Sequence, residues 1–132
     1  MIETPLKIIR IGLSLVFLAN GLAAFIAPQE FKELIEASFV SQLLPFPMAV
    51  FLLIIGINDL SLSVLLFVGK YQKYILAWAM IWLATVIVII TEPLAILEHI
   101  GFFAMALALW ISVASNDEID RKDFENKKKY LT

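Results

Sequence analysis

Apolar residues in this chain run in long unbroken blocks, with polar residues gathered in the gaps between them. The blocks cover about 6–27, 47–68, 71–91 and 94–113. Each approaches the ~20 residues that an α-helix needs to cross about 30 Å of hydrocarbon. None shows the period-2 alternation of a barrel strand, and lipid leaves the backbone only helix or closed barrel. The pattern predicts an all-α fold: an integral membrane antiparallel four-helix bundle. The first block is longer than the ~7–15 residue core of a signal peptide and is interrupted by Asn20, so it is expected to remain as a span.

Residues 28–45, between the first two blocks, follow a different rhythm. Phe31, Leu34, Ile35, Phe39 and Leu43 recur at helical spacing opposite Glu30, Lys32, Glu33 and Gln42. Pro28 suits a first helical turn, and Pro45 and Pro47 stop a helix. This predicts an interfacial amphipathic helix over about 29–44, lying on the membrane surface or capping the bundle. The other links, 69–73 and 91–93, are short enough to make successive spans antiparallel neighbours. Pro93 opens the last span, with Thr91 or Glu92 as its cap. From 116 to 132 the chain is a polar tail, expected to be a frayed or disordered helix whose basic end, Lys127-Lys128-Lys129-Tyr130, suits anionic lipid. The remainder, 1–115, forms the transmembrane domain.

Composition agrees with the pattern. Apolar residues make up 61% of the 132 residues and charged ones 17%, and the mean hydropathy is +0.91. Soluble domains average about 45–50% and 25%. The net charge of -2 gives no reason to expect nucleic acid as a partner. Lys7, Arg10, Lys70, Lys73, Arg121, Lys122 and Lys127 to Lys129 all fall on the side of the termini, and only Lys32 falls opposite. The positive-inside rule then places both termini in the cytoplasm of a plasma or inner membrane. There is no cysteine, which excludes disulfides, catalytic thiols and Cys-ligated clusters. The single His99 excludes bis-His haem ligation within one chain.

Chemistry is expected where polar groups interrupt the apolar blocks. Asp59 stands near the middle of the second span, where a carboxylate costs roughly 3 kcal/mol on insertion scales and therefore faces a bundle interior or water. Gly56, Asp59 and Ser63 share one helical face, and Asn58 points about 100° away toward another neighbour. Asn20 in the first span sits about 10 Å from that span's outer end. Glu98 and His99 lie roughly 8–9 Å inside the fourth span, and as adjacent residues they diverge by about 100°. Trp78, Trp82 and Thr85 share a face of the third span, and Trp82 is too deep for an interfacial belt. Asp59, Asn20, Glu98, His99, Asn58 and Trp82 are thus the candidates for ligand binding or proton exchange. Two readings stay open: a ligand pocket, or interhelical hydrogen bonds that only hold the bundle together. There is no metal-ligand spacing, no phosphate loop and no nucleophile pair, so catalytic residues are unknown and enzyme status stays open.

Arg10-Ile11-Gly12-Leu13-Ser14-Leu15-Val16-Phe17-Leu18-Ala19-Asn20-Gly21-Leu22-Ala23 and Gly56-Ile57-Asn58-Asp59-Leu60 resemble the DoxX-like family of small four-span membrane proteins. A looser likeness at Ala106-Leu107-Ala108-Leu109 extends the resemblance over about 8–113. Asp59 stands where the family usually has Glu, and Ala24 where a basic residue often follows Asn-Gly. The resemblance implies a quinone-interacting or accessory subunit of a membrane redox assembly. Its cofactor is unknown, a quinone being one candidate, and its partners would be the bilayer and a membrane protein or second copy. The alternatives are a non-catalytic lipid- or amphiphile-binding or chaperone-like protein, and a structural bundle gripping partner helices.

Overall fold

Lipid-length apolar blocks become helices, and their ends fall at residues that cannot continue one. The computed structural model describes residues 3–129, which form helices α1 (Glu3–Ile26), α2 (Pro28–Glu36), α3 (Met48–Val68), α4 (Gln72–Ile89) and α5 (Pro93–Lys129), with one 3₁₀ turn at Phe39–Gln42. No strand occurs among the described residues. Helices α1, α3, α4 and α5 are long and apolar enough to cross a membrane. The fold is a four-helix membrane bundle with a short helix between its first two spans.

Proline and glycine set most of the boundaries. α3 starts after Pro47 and ends on Gly69, which adopts the left-handed conformation (φ 76°) and donates its N–H to the Leu65 carbonyl at 3.1 Å. Tyr71 is left-handed too (φ 54°), which turns the chain into α4. Pro93 is the first residue of α5, and the Glu92 carboxylate, of the two candidate caps, accepts the Ala95 N–H at 2.6 Å.

Two expectations are corrected. The single amphipathic helix over 29–44 is broken: α2 stops at Glu36, and the chain passes through an extended Ser38 into the 3₁₀ turn. Serine is the reason. Ser38 Oγ donates to the Ile35 carbonyl at 2.7 Å, and Ser41 Oγ to the Ser38 carbonyl at 2.9 Å. Such local bonds compete with helix propagation. The polar tail, in contrast, neither frays nor disorders by 129; α5 continues without a break to Lys129. Residues 114–129 contain no Gly or Pro, and the Lys122–Glu118 pair at 2.7 Å supports the exposed segment. The side chains of Lys128 and Lys129, and residues 130–132, lie outside the described residues, so the basic end expected to meet lipid is left as an expectation.

The spans pack as two pairs. α1 lies along α3, and α4 along α5; α3 and α4, though joined by a short link, meet only sparsely. Gly21 permits the first pair. A Cβ there would sit 2.9 Å from the Leu60 backbone nitrogen, so the missing side chain lets the helices approach. One turn or more away, the Phe25 ring occupies the space left by Gly56, and Ser14 Oγ donates to the Ser63 carbonyl at 2.8 Å. Leu13, Phe17, Leu62, Leu66, Leu76 and Leu83 form the main core, toward the end of the bundle that carries the termini. A smaller cluster of Ala24, Ile35, Leu52 and Ile55 lies toward the α2 end. Trp82 packs against both. The outward residues, such as Leu15, Val64, Phe67, Ile81 and Val88, are exposed and apolar, as a lipid-facing surface requires.

Candidate functional site

The inward face of α3 is the one its spacing implied: Gly56, Asp59 and Ser63 are all buried. Asp59 is 3% exposed. Eleven residues of helix separate it from Met48, about 16 Å of rise, which is close to mid-membrane. Asn58 donates its side-chain amide to Asp59 Oδ1 at 3.1 Å, and its own carbonyl oxygen accepts the Trp78 indole N–H at 3.0 Å. Trp78 is therefore tied to the carboxylate through Asn58 rather than being only a lipid-facing ring. Trp82 and Asp59 border the same cavity.

Asp59 opens onto a cavity of about 450 Å³ in the α2 half of the bundle. α1 supplies Phe17 and Asn20, α3 supplies Phe51, Ile55 and Asp59, and α4 supplies Trp82, Thr85 and Val86. Glu98 and His99 come from α5, while Glu30, Phe31, Leu34 and Ile35 of α2 close the wall. Five of the six sequence candidates thus border one space. Asn58, the sixth, stands behind Asp59 and off the cavity wall, on a shallower groove between α3 and α4. Glu98 and His99 were expected to diverge too far to address one ligand squarely. They border the same cavity differently, Glu98 exposed and His99 half-buried.

His99 Nδ1 lies 2.8 Å from the Ala95 carbonyl. A carbonyl only accepts, so Nδ1 carries the proton and Nε2 of the neutral ring is the acceptor. Phe102 holds the ring edge-on at 5.8 Å. Glu30 is the charged cavity residue that the sequence reading missed, because its charge placed it on the polar face of α2. The available signal was its spacing: it lies four residues before Leu34, one helical turn below an apolar wall residue.

Among the described residues the lining carries three carboxylates (Glu30, Asp59 and Glu98), one histidine and no Lys or Arg. Phe17, Phe31, Phe51 and Trp82 give it aromatic surface. Among the described residues no three His, Asp or Glu side chains gather closely enough to hold a metal ion. The arrangement can accept hydrogen bonds and protons at two depths, Asp59 inside and Glu98 with His99 toward the rim. Asn20 and Trp82 can donate.

The fold and this site define a multi-pass helical membrane protein with an intramembrane polar cavity. Compared with family models, curated proteins and solved structures, the chain gives no match.

Proposed function

We propose that this is a DoxX-like membrane protein that holds the polar head of a lipophilic small molecule in the α2-end cavity, as an accessory or quinone-interacting subunit of a membrane redox assembly. One observation carries the reading: Asn20, Asp59, Trp82, Glu98 and His99, from four different helices, border a single largely apolar space of about 450 Å³. Buried polar groups at membrane depth mark ligand or proton routes. Aromatic walls suit a flat ring, and the Asn20 amide and Trp82 indole suit a carbonyl oxygen. Asp59 would exchange the proton with the bound head, and Glu98 or His99 would connect the cavity to water. With no cysteine in the chain, electrons would pass to a bound group or another subunit. The basic residues favour cytoplasmic termini in a plasma or inner membrane, which puts the cavity in the outer leaflet.

A second reading rests on the charge of the lining. Among the described lining residues, three carboxylates and no Lys or Arg favour an amphiphile with a protonated amine head, held by Asp59 and the aromatic faces. The protein would then bind without catalysing.

One experiment separates these readings. The protein is purified gently with its native lipids, and co-purified small molecules and proteins are scored together by mass spectrometry, for wild type and Asp59→Asn. A stoichiometric quinone lost from the variant supports the redox reading, and an amine lost from it supports the second. A stoichiometric protein partner with no small molecule in either sample would leave Asp59 as an interhelical bond and sink both.

A further inference from the structure

A second cavity, of about 330 Å³, opens at the opposite end of the bundle, among α1, the start of α4 and the region where α5 leaves the membrane. Its walls include Arg10, Gln72, Ser112 and Asn116, with Lys7 and Asp117 on its exposed parts. We propose that this cavity binds a phosphate group, with the Arg10 guanidinium as its principal ligand.

The case begins with how Arg10 is held. Its guanidinium lies directly over Gly69, so close that a Cβ built on that glycine would collide with it. The planar group is therefore fixed by the α3–α4 link rather than trailing in solvent. Its Nε is shielded from water and has no hydrogen-bond partner. Among the described residues no ion pair or hydrogen bond reaches Arg10. The Gly69 carbonyl accepts the Gln72 amide at 2.9 Å. An oriented, part-buried guanidinium without an anion beside it is costly unless something supplies one.

Phosphate supplies it well. The two Nη donors of a guanidinium match two oxygens of a phosphate in the bidentate manner that a lysine cannot reproduce. Ser112 and Asn116 add neutral donors on the α5 wall. Among the described residues of this lining Asp117 is the one carboxylate, and it stands beside Lys7 and Arg10. Its position, where α1 and α4 begin and α5 turns polar, is the level of lipid head groups. The phosphate can thus come from an anionic phospholipid or from free phosphate.

The test uses the full chain in non-ionic detergent micelles. Binding is read by native mass spectrometry and by the shift in melting midpoint. The probes are phosphatidylglycerol, a monoacylglycerol without phosphate, and inorganic phosphate against chloride at matched ionic strength. Phosphatidylglycerol binding without monoacylglycerol binding is expected. Binding of inorganic phosphate as well would identify a free-phosphate site, and its absence would identify a lipid site. Arg10→Gln should weaken the bound probe about tenfold. Because that variant also disturbs the packing on Gly69, Asp117→Asn is the companion. It lies on an exposed part of the wall and should tighten binding several-fold. The inference is overturned if neither phosphate probe binds, if monoacylglycerol binds equally well, or if Asp117→Asn leaves affinity unchanged.

Discussion

Gly21→Ala should weaken the bundle much more than Gly56→Ala, although both place one methyl group into the α1–α3 contact. At Gly21 the new Cβ would meet Leu60 Cγ at 2.8 Å, its backbone nitrogen at 2.9 Å and its Cδ2 at 3.0 Å. The side-chain atoms can rotate away, but the backbone nitrogen cannot. Restoring a contact of about 3.5 Å moves the helices apart by about 0.6 Å. Overpacking of this kind costs about 1–3 kcal/mol, and the better helix propensity of Ala returns up to about 1. At Gly56 the three atoms nearest the Cβ all belong to the Phe25 ring, the first at 2.6 Å, and that residue is 44% exposed. The ring can swing out, and the net change should stay within about 0.5 kcal/mol. Reversible unfolding in micelles should therefore show Gly21→Ala less stable by about 1–2 kcal/mol and Gly56→Ala near wild type. Adding Leu60→Ala to Gly21→Ala should recover less than half of the loss, because the nitrogen remains. Asn20 and Asp59 adjoin the two contact residues, so Gly21→Ala should also loosen whatever the cavity holds. If Gly56→Ala costs as much as Gly21→Ala, or Leu60→Ala restores full stability, the backbone-contact argument is wrong.

Three further outcomes follow from the bonds described. Ser14→Ala removes the buried hydrogen bond to Ser63 and should cost only about 0.6 kcal/mol in the same unfolding assay, the typical worth of an interhelical bond within a membrane. Gly69→Ala must hold a side chain at φ 76° and also displace the Arg10 guanidinium, so its melting midpoint should fall by the equivalent of about 1–2 kcal/mol. Trp78→Phe keeps the ring but not the donor to Asn58. A titration should show the cavity ligand bound several-fold more weakly, with stability changed by no more than about 0.6 kcal/mol; unchanged affinity would mean that Asn58 positions Asp59 without help.

The spans were legible because lipid forces uniform apolarity on a whole crossing, and no packing detail is needed to see it. The end of α5 was not, because the change of composition near Ser115 marks where hydrocarbon stops, not where helix stops. Charged residues such as Glu118 and Lys122 propagate a helix in water as well as apolar ones do in lipid. Ser38 broke α2 by a side-chain bond to the backbone, a local competition that periodicity overlooks. The cavity residues stood out for a simple reason: Asp59, Asn20 and Glu98 are expensive where they are, so a shared space was the economical expectation. Glu30 escaped notice because a charge on a surface helix is ordinary. The pairing of α1 with α3 was also hidden, since Gly21 signals close approach without naming Leu60 as the neighbour.

The uninterrupted course of α5 has a mechanical consequence. Its 37 residues form a rod of about 55 Å. One end carries Ala95, Glu98 and His99 on the cavity wall, and the other projects beyond the last apolar turn. No proline lies within it after Pro93 to absorb a bend. A tilt of about 5° about its middle displaces the far tip by about 2 Å. A ligand seated against His99 would therefore be felt on the opposite face of the membrane as a movement of a lever, with α4, which packs along α5, carried with it.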